Sequence, residues 1–123
     1  MKIAISSTGK NLEDEVDVRF GRCPYFFIVD IEDKKVKETK VIENTANAQM
    51  GGAGISAAQI VADEKVEAII IANMGPRAFD VFNQLGLKIY QGQGKVKEVI
   101  QKFINGELKE INDATGPQHQ GLK

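Results

Sequence analysis

The residues able to do chemistry fall in three short stretches: Arg19-Phe20-Gly21-Arg22-Cys23-Pro24, Met50-Gly51-Gly52-Ala53-Gly54-Ile55-Ser56 and Asn73-Met74-Gly75-Pro76-Arg77. In the second, glycines at 51, 52 and 54 lead into small residues that can start a helix at once. The first amides of a helix lack intrahelical partners and lie at the positive end of its dipole, which makes them a natural anion site. The third stretch repeats the device, with Pro76 suited to the first helical position and Arg77 beside it. The first stretch supplies the complement, since Arg19 and Arg22 can make charge-assisted bonds to a negative group. These segments are expected to meet at one edge of a sheet and to hold an anion there.

Other chemistry competes for the same residues. Gly52-Ala53-Gly54-Ile55-Ser56-Ala57 fits the pattern G-x-G-x-x-[GA]. A dinucleotide fingerprint, however, follows directly on a first strand and is trailed by an acid about 20 residues later. Here a polar linker precedes the glycines, and Asn73 stands at the end of the next strand. A purely structural glycine turn and a helix-start anion site both remain open, and a phosphate-bearing small molecule or nucleotide would suit the latter as well as a metal cluster.

Cys23 has two readings. Neighbouring guanidiniums favour a thiolate, a soft ligand for iron. A lone Cys at the start of a strand also serves as a small buried apolar residue. His119, in the polar segment Gln118-His119-Gln120, is either idle and exposed or a metal ligand. A conventional iron–sulfur cluster takes four thiolates, and the chain has one Cys. Any cluster it carries is therefore held loosely, shared between subunits or gripped by charge. No Ser-His-Asp set is visible, Gly94-Lys95 is followed by Val96 rather than the residue of a Walker motif, and the first strand carries no acid for a two-metal nuclease. No enzymatic function is expected.

Composition agrees with a modest binding protein. The 123 residues are 42% hydrophobic, and 16 basic against 17 acidic residues leave a net charge of -1. That fits one globular domain and argues against nucleic acid as a partner. One Cys fits a reducing compartment. Met1–Ile5 runs straight into Ser6-Ser7-Thr8, too short for a leader or a membrane span. A soluble cytoplasmic protein is expected.

The elements that must position these stretches follow from hydrophobic spacing. Strands are expected at Lys2–Ser6, Tyr25–Glu32, Val36–Glu43, Glu67–Asn73 and Leu87–Tyr90. The fourth is an uninterrupted apolar run, as in a central parallel strand covered on both faces. The charges along Val36–Glu43 suit an edge strand. Helices are expected at about Ile55–Lys65, from Gly75-Pro76 to a left-handed cap at Gly86, and from Val96 to near Gly106. Asn11–Val18 and Asn44–Gln49 read as polar connections and Glu107–Lys123 as a flexible tail. The order implies an α/β fold with a mixed five-stranded sheet, the first strand beside the long apolar one.

Val18-Arg19-Phe20-Gly21-Arg22-Cys23-Pro24-Tyr25-Phe26, Gly51-Gly52-Ala53-Gly54 and Asn73-Met74-Gly75-Pro76-Arg77-Ala78-Phe79 together resemble the dinitrogenase iron–molybdenum cofactor biosynthesis domain family, among its small stand-alone, nitrogenase accessory factor-like members. The similarity runs from Met1 to about Leu108. It implies a three-layer α/β/α arrangement of ribonuclease-H-like topology for residues 1–108, followed by a tail over 109–123. It also implies that the chain binds and carries an iron–sulfur or iron–molybdenum cluster during cofactor assembly. Carried over by position, the site would comprise Arg19, Gly21, Arg22, Cys23, Gly51, Gly52, Gly54, Gly75 and Arg77, with Cys23 and His119 as metal ligands. Where stand-alone members often end in a histidine-rich tail, this chain has only His119. The partners implied are the cluster or a small anionic ligand, cofactor-assembly proteins and a second copy of the chain; no membrane is expected.

Overall fold

The computed structural model describes residues 1–46, 51–72 and 76–111, of which 76–78 are described in their backbone alone. The elements are β1 (Lys2–Ser7), a 3-10 turn (Phe20–Arg22), β2 (Tyr25–Glu32), β3 (Lys35–Glu43), α1 (Ala53–Ala62), β4 (Ala68–Ile71), α2 (Pro76–Gln84), β5 (Lys88–Gln91), α3 (Val96–Ile104) and β6 (Lys109–Glu110).

The strands form one sheet in the order β3-β2-β1-β4-β5-β6. β1 runs parallel to β4, with Ile5 opposite Ile70, and β4 runs parallel to β5. β2, β3 and β6 join antiparallel. The central strands read as continuous apolar runs because each face has its own cover. On one face Ala4, Phe26, Ile28, Ile69 and Ile71 pack with Ala57, Ala58 and Val61 of α1 and Phe82 of α2. On the other, Ile3, Ile5, Phe27, Val29 and Ile70 pack with Val96, Val99 and Ile100 of α3. Each fully buried Ile or Phe contributes about 1.5–3 kcal/mol of transfer free energy.

The α/β class and the pairing of β1 with β4 match expectation, and three details differ. The sheet has six strands rather than five, because Lys109–Glu110 pairs with β5 and the Ile111 amide donates to the Ile89 carbonyl at 2.7 Å. Ile111 is buried, so the fold runs past Leu108 into the segment expected to be tail. α1 begins at Ala53, two residues before the first large apolar side chain, and is followed by a left-handed turn at Lys65 (φ +61). Gly86 (φ +74) closes α2 as expected. Among the described residues, no helix is long and apolar enough to cross a membrane.

This topology decides where loops gather. α1 ends next to the start of β4, and α2 begins just beyond its end, so the first turns of both helices lie at the same edge of the sheet. The 3-10 turn lies there too, because it follows β1 and leads into β2 where Tyr25 pairs with Ser7.

Candidate anion site at the sheet edge

The 3-10 turn is only three residues long and is held from below by Phe20. That ring is buried with its centroid 5.3 Å from Phe26 of β2 and 4.9 Å, edge-on, from Phe82 of α2. The next residue has to be glycine for lack of room. A Cβ on Gly21 would lie 2.8 Å from the Gly54 amide nitrogen and 3.1 Å from the Ala53 carbonyl carbon. The turn therefore rests directly on the first turn of α1, and through Phe20 on α2.

Asn44 braces the same turn. Its fully buried side chain donates from Nδ2 to the Cys23 carbonyl (2.8 Å) and the Gly21 carbonyl (3.2 Å), while its Oδ1 accepts from the Ala46 amide at 3.1 Å. Its own amide donates to the Pro24 carbonyl at 2.9 Å. A residue expected to be part of a polar linker thus ties the segment before α1 to the 3-10 turn.

α1 opens on Gly52 in the left-handed region (φ +70), a conformation that a side chain would strain. Ser56 makes the first helical bond, its amide donating to the Gly52 carbonyl at 3.0 Å. Gly54 has open space where a Cβ would stand. Among the described residues, the first turn carries no acidic side chain and no side-chain cap.

α3 begins quite differently. The Val96 and Lys97 amides donate to the Asp14 and Leu12 carbonyls, at 2.8 and 3.0 Å, and the Val16 amide donates to the Gly94 carbonyl at 2.9 Å. Glu13 accepts from Lys95 at 3.1 Å and also pairs with Lys97. The acidic loop is therefore the cap of α3 rather than an idle connection.

Arg19 is held by Asp17. The Asp17 carboxylate receives the Arg19 backbone amide (2.8 Å) and Nε (3.1 Å) on Oδ1, and Nη2 (2.9 Å) on Oδ2. That hydrogen bonding, with the attraction between the two charges, raises the guanidinium above its ordinary range. Arg22 is exposed at the end of the 3-10 turn.

Cys23 follows the buried one of its two readings. It is fully buried, with Sγ donating to the Phe20 carbonyl at 3.2 Å. Burial, with the Asp17 charge second, pushes its thiol up to about 12, against the weaker help of the Ser7 amide, Asn44 and Arg19. The guanidinium that was to stabilise the thiolate is compensated by Asp17, and the sulfur points into the core.

The structure thus brings together Arg19, Gly21, Arg22, Cys23, Gly52 and Gly54 at one edge, with Gly51 next to Gly52 in sequence. α2 starts at that edge, but Gly75, the side chain of Arg77 and His119 lie outside what is described. Among the described residues, no group of three His, Cys, Asp or Glu is placed to hold a metal ion. The groups gathered at this edge, among the described residues, are backbone amides, two guanidiniums and one buried thiol. Sequence reasoning missed Asp17 and Asn44. Asp17 lay within an acidic run, and the one available signal was its spacing of two residues from Arg19.

Comparison with known proteins accords with this architecture. The family model described as dinitrogenase iron–molybdenum cofactor matches residues 1–106. The Methanocaldococcus jannaschii protein MJ0580 is 40% identical over 112 residues, 90% of this chain and 92% of its own length. The apo form of the orange protein from Desulfovibrio gigas superposes with a TM-score of 0.86 at 28% identity, covering 94% of this chain and 96% of that one. A Thermotoga protein, TM1290, described as a candidate NifB protein, superposes with a TM-score of 0.79 at 36% identity, covering 94% and 97%. On sequence and fold together, the chain belongs to the dinitrogenase iron–molybdenum cofactor family.

Proposed function

We propose that this chain is a non-catalytic carrier that holds an anionic iron–sulfur or iron–molybdenum cluster, as cargo, at the sheet edge where the 3-10 turn meets the start of α1. The observation that carries this reading is the contact of Gly21 on the first turn of α1. It puts the Arg19–Arg22 stretch next to helix-start amides, so that cations and oriented N–H dipoles can act on one anion. The Gly51–Gly54 amides and Arg22 would bind the cargo, Arg19 would add a guanidinium fork, and Gly75 and Arg77 at the start of α2 complete the proposed set. Cys23 serves as the support beneath the turn; an iron bond from it would require loss of its proton and exposure of its sulfur. His119 is the remaining candidate metal ligand.

A grip made of hydrogen bonds suits a protein that must release what it holds. Cofactor-assembly proteins are then its donors and acceptors, in the cytoplasm, where a single free thiol is stable. The strand order over β1–β5, with β2 alone running against the other four, supports a ribonuclease-H-like topology.

The test is anaerobic incubation of the full chain with iron and sulfide, followed by desalting, absorbance and metal analysis. Cluster retention that falls in Arg22→Ala and Arg77→Ala but survives in Cys23→Ala is expected. Equal retention in all these variants would remove the proposed site. Nucleoside triphosphates run in parallel decide the other reading, a regulatory module for a phosphate-bearing ligand, which predicts Arg77-dependent thermal stabilisation by nucleotide.

A further inference from the structure

We infer that Asp17 is the positioning residue of this site, fixing the Arg19 guanidinium for cargo at the cost of local positive charge. The inference rests on the anion-binding reading above and concerns how that site is organised. The two side chains differ sharply in exposure, Asp17 at 2% and Arg19 at 61%. A carboxylate so buried needs a partner, and Arg19 supplies three N–H donors to it. Asp17 is itself fixed to β1. Its amide donates to the Ser6 carbonyl at 3.0 Å, and its carbonyl accepts from Ser6 Oγ at 3.0 Å.

The grip uses the Nε–Nη2 edge of the guanidinium, so the Nη1 side faces away from Asp17 as a pre-aligned pair of donors. Lysine could not be held in this way, having neither a fork nor a plane. Fixing the side chain before cargo arrives removes an ordering cost from binding.

Asp17 also puts a negative charge at an anion site, and this makes its role decidable by sign. If it acts only as a nearby charge, Asp17→Asn strengthens anion binding. If it positions Arg19, Asp17→Asn weakens binding although the site becomes more positive.

The experiment titrates the full chain anaerobically with a preformed thiolate-ligated iron–sulfur dianion. It compares wild type, Asp17→Asn, Arg19→Lys, Arg19→Ala and the Asp17→Asn/Arg19→Ala double variant. We expect about tenfold weaker binding in the Asn and Lys variants. In the Arg19→Ala background, Asp17→Asn should cause no further loss. Binding in Asp17→Asn that equals or exceeds wild type overturns the inference.

A second measurement needs no ligand and guards against a misfolded variant. The Arg19 Nε proton should exchange slowly with solvent in the apo wild type and rapidly in Asp17→Asn. Rapid exchange in the wild type overturns the inference whatever binds. Failure of the wild type to bind the dianion, with that proton protected, overturns the carrier reading and with it the use of the aligned guanidinium.

Discussion

Gly21 and Gly54 meet backbone to backbone: a methyl group on Gly21 would stand 2.8 Å from the Gly54 nitrogen, with backbone on both sides and no flexible side chain to yield. Gly21→Ala must therefore push the 3-10 turn away from α1. A loss of about 1–3 kcal/mol is expected, as for overpacking in a close-packed interior. Urea unfolding monitored by circular dichroism measures it.

Gly54→Ala is the informative contrast. A Cβ there meets nothing within 4 Å, and alanine favours helix over glycine by up to about 1 kcal/mol. The variant should match or exceed the wild type in stability. If cargo lies over the first turn of α1, the added methyl group obstructs it and cluster retention falls. Unchanged retention in a stable Gly54→Ala protein would move the cargo elsewhere.

Asn44→Ala removes the donor to two carbonyls and the acceptor for one amide, all within the packed base of the site. Leaving such groups without partners costs about 1–3 kcal/mol each where water cannot reach them. A loss of about 3 kcal/mol or more is expected, enough to lower the melting temperature by about 10 °C. Asn44→Asp keeps the acceptor and loses the donor, so it should not rescue.

The raised Cys23 pKa has a definite sign in stability. Between pH 9, where the unfolded thiol ionises, and about 12, the folded chain keeps a proton that the unfolded chain has lost. The native state then binds more protons, and its stability falls as pH rises through that window. Comparing urea midpoints from pH 8 upward in wild type and Cys23→Ala isolates this contribution, because other groups titrate in both. At pH 8 a disulfide reagent should label the native protein far more slowly than the unfolded one.

The Glu13 carboxyl is held below the usual range chiefly by its hydrogen bonds to Lys97 and Lys95. Its stabilising effect is thus present at neutral pH and is lost on acidification through its folded pKa. Exposed pairs of this kind are screened by salt. Glu13→Gln should lower the melting temperature slightly at low ionic strength, and the difference should vanish at about 1 M salt. The backbone bonds to Val96 and Lys97 keep the loop in place in both proteins.

Much of the fold could be read from side-chain periodicity. Ala68-Ile69-Ile70-Ile71 has no polar interruption because α1 and α2 cover one face and α3 the other. Tyr25–Glu32 was expected within the same bounds that are observed. β6 was not legible, since Lys109 and Glu110 are exposed and only Ile111 after them is buried. Two residues paired to an edge carry almost no pattern.

The site was legible in its glycines and arginines, and not in what supports them. Gly21 and Gly52 stand out because no other residue type meets a close contact or a left-handed start so readily. The role of Asn44 depends on Gly21 and Cys23, which only the folded chain brings near, and that of Asp17 on its burial against β1. The protonation state of Cys23 stayed open for a related reason. Proximity in sequence to two arginines says nothing about which of them another acid has already neutralised.

Because the acidic loop corks the start of α3 with the chain's own carbonyls, the rim of the sheet is lopsided. Among the described residues, a visitor held as proposed meets helix-start amides on the α1 side, whereas those of α3 are already taken by the chain's own carbonyls. Hand-over to another protein would then favour the α1 side of the rim.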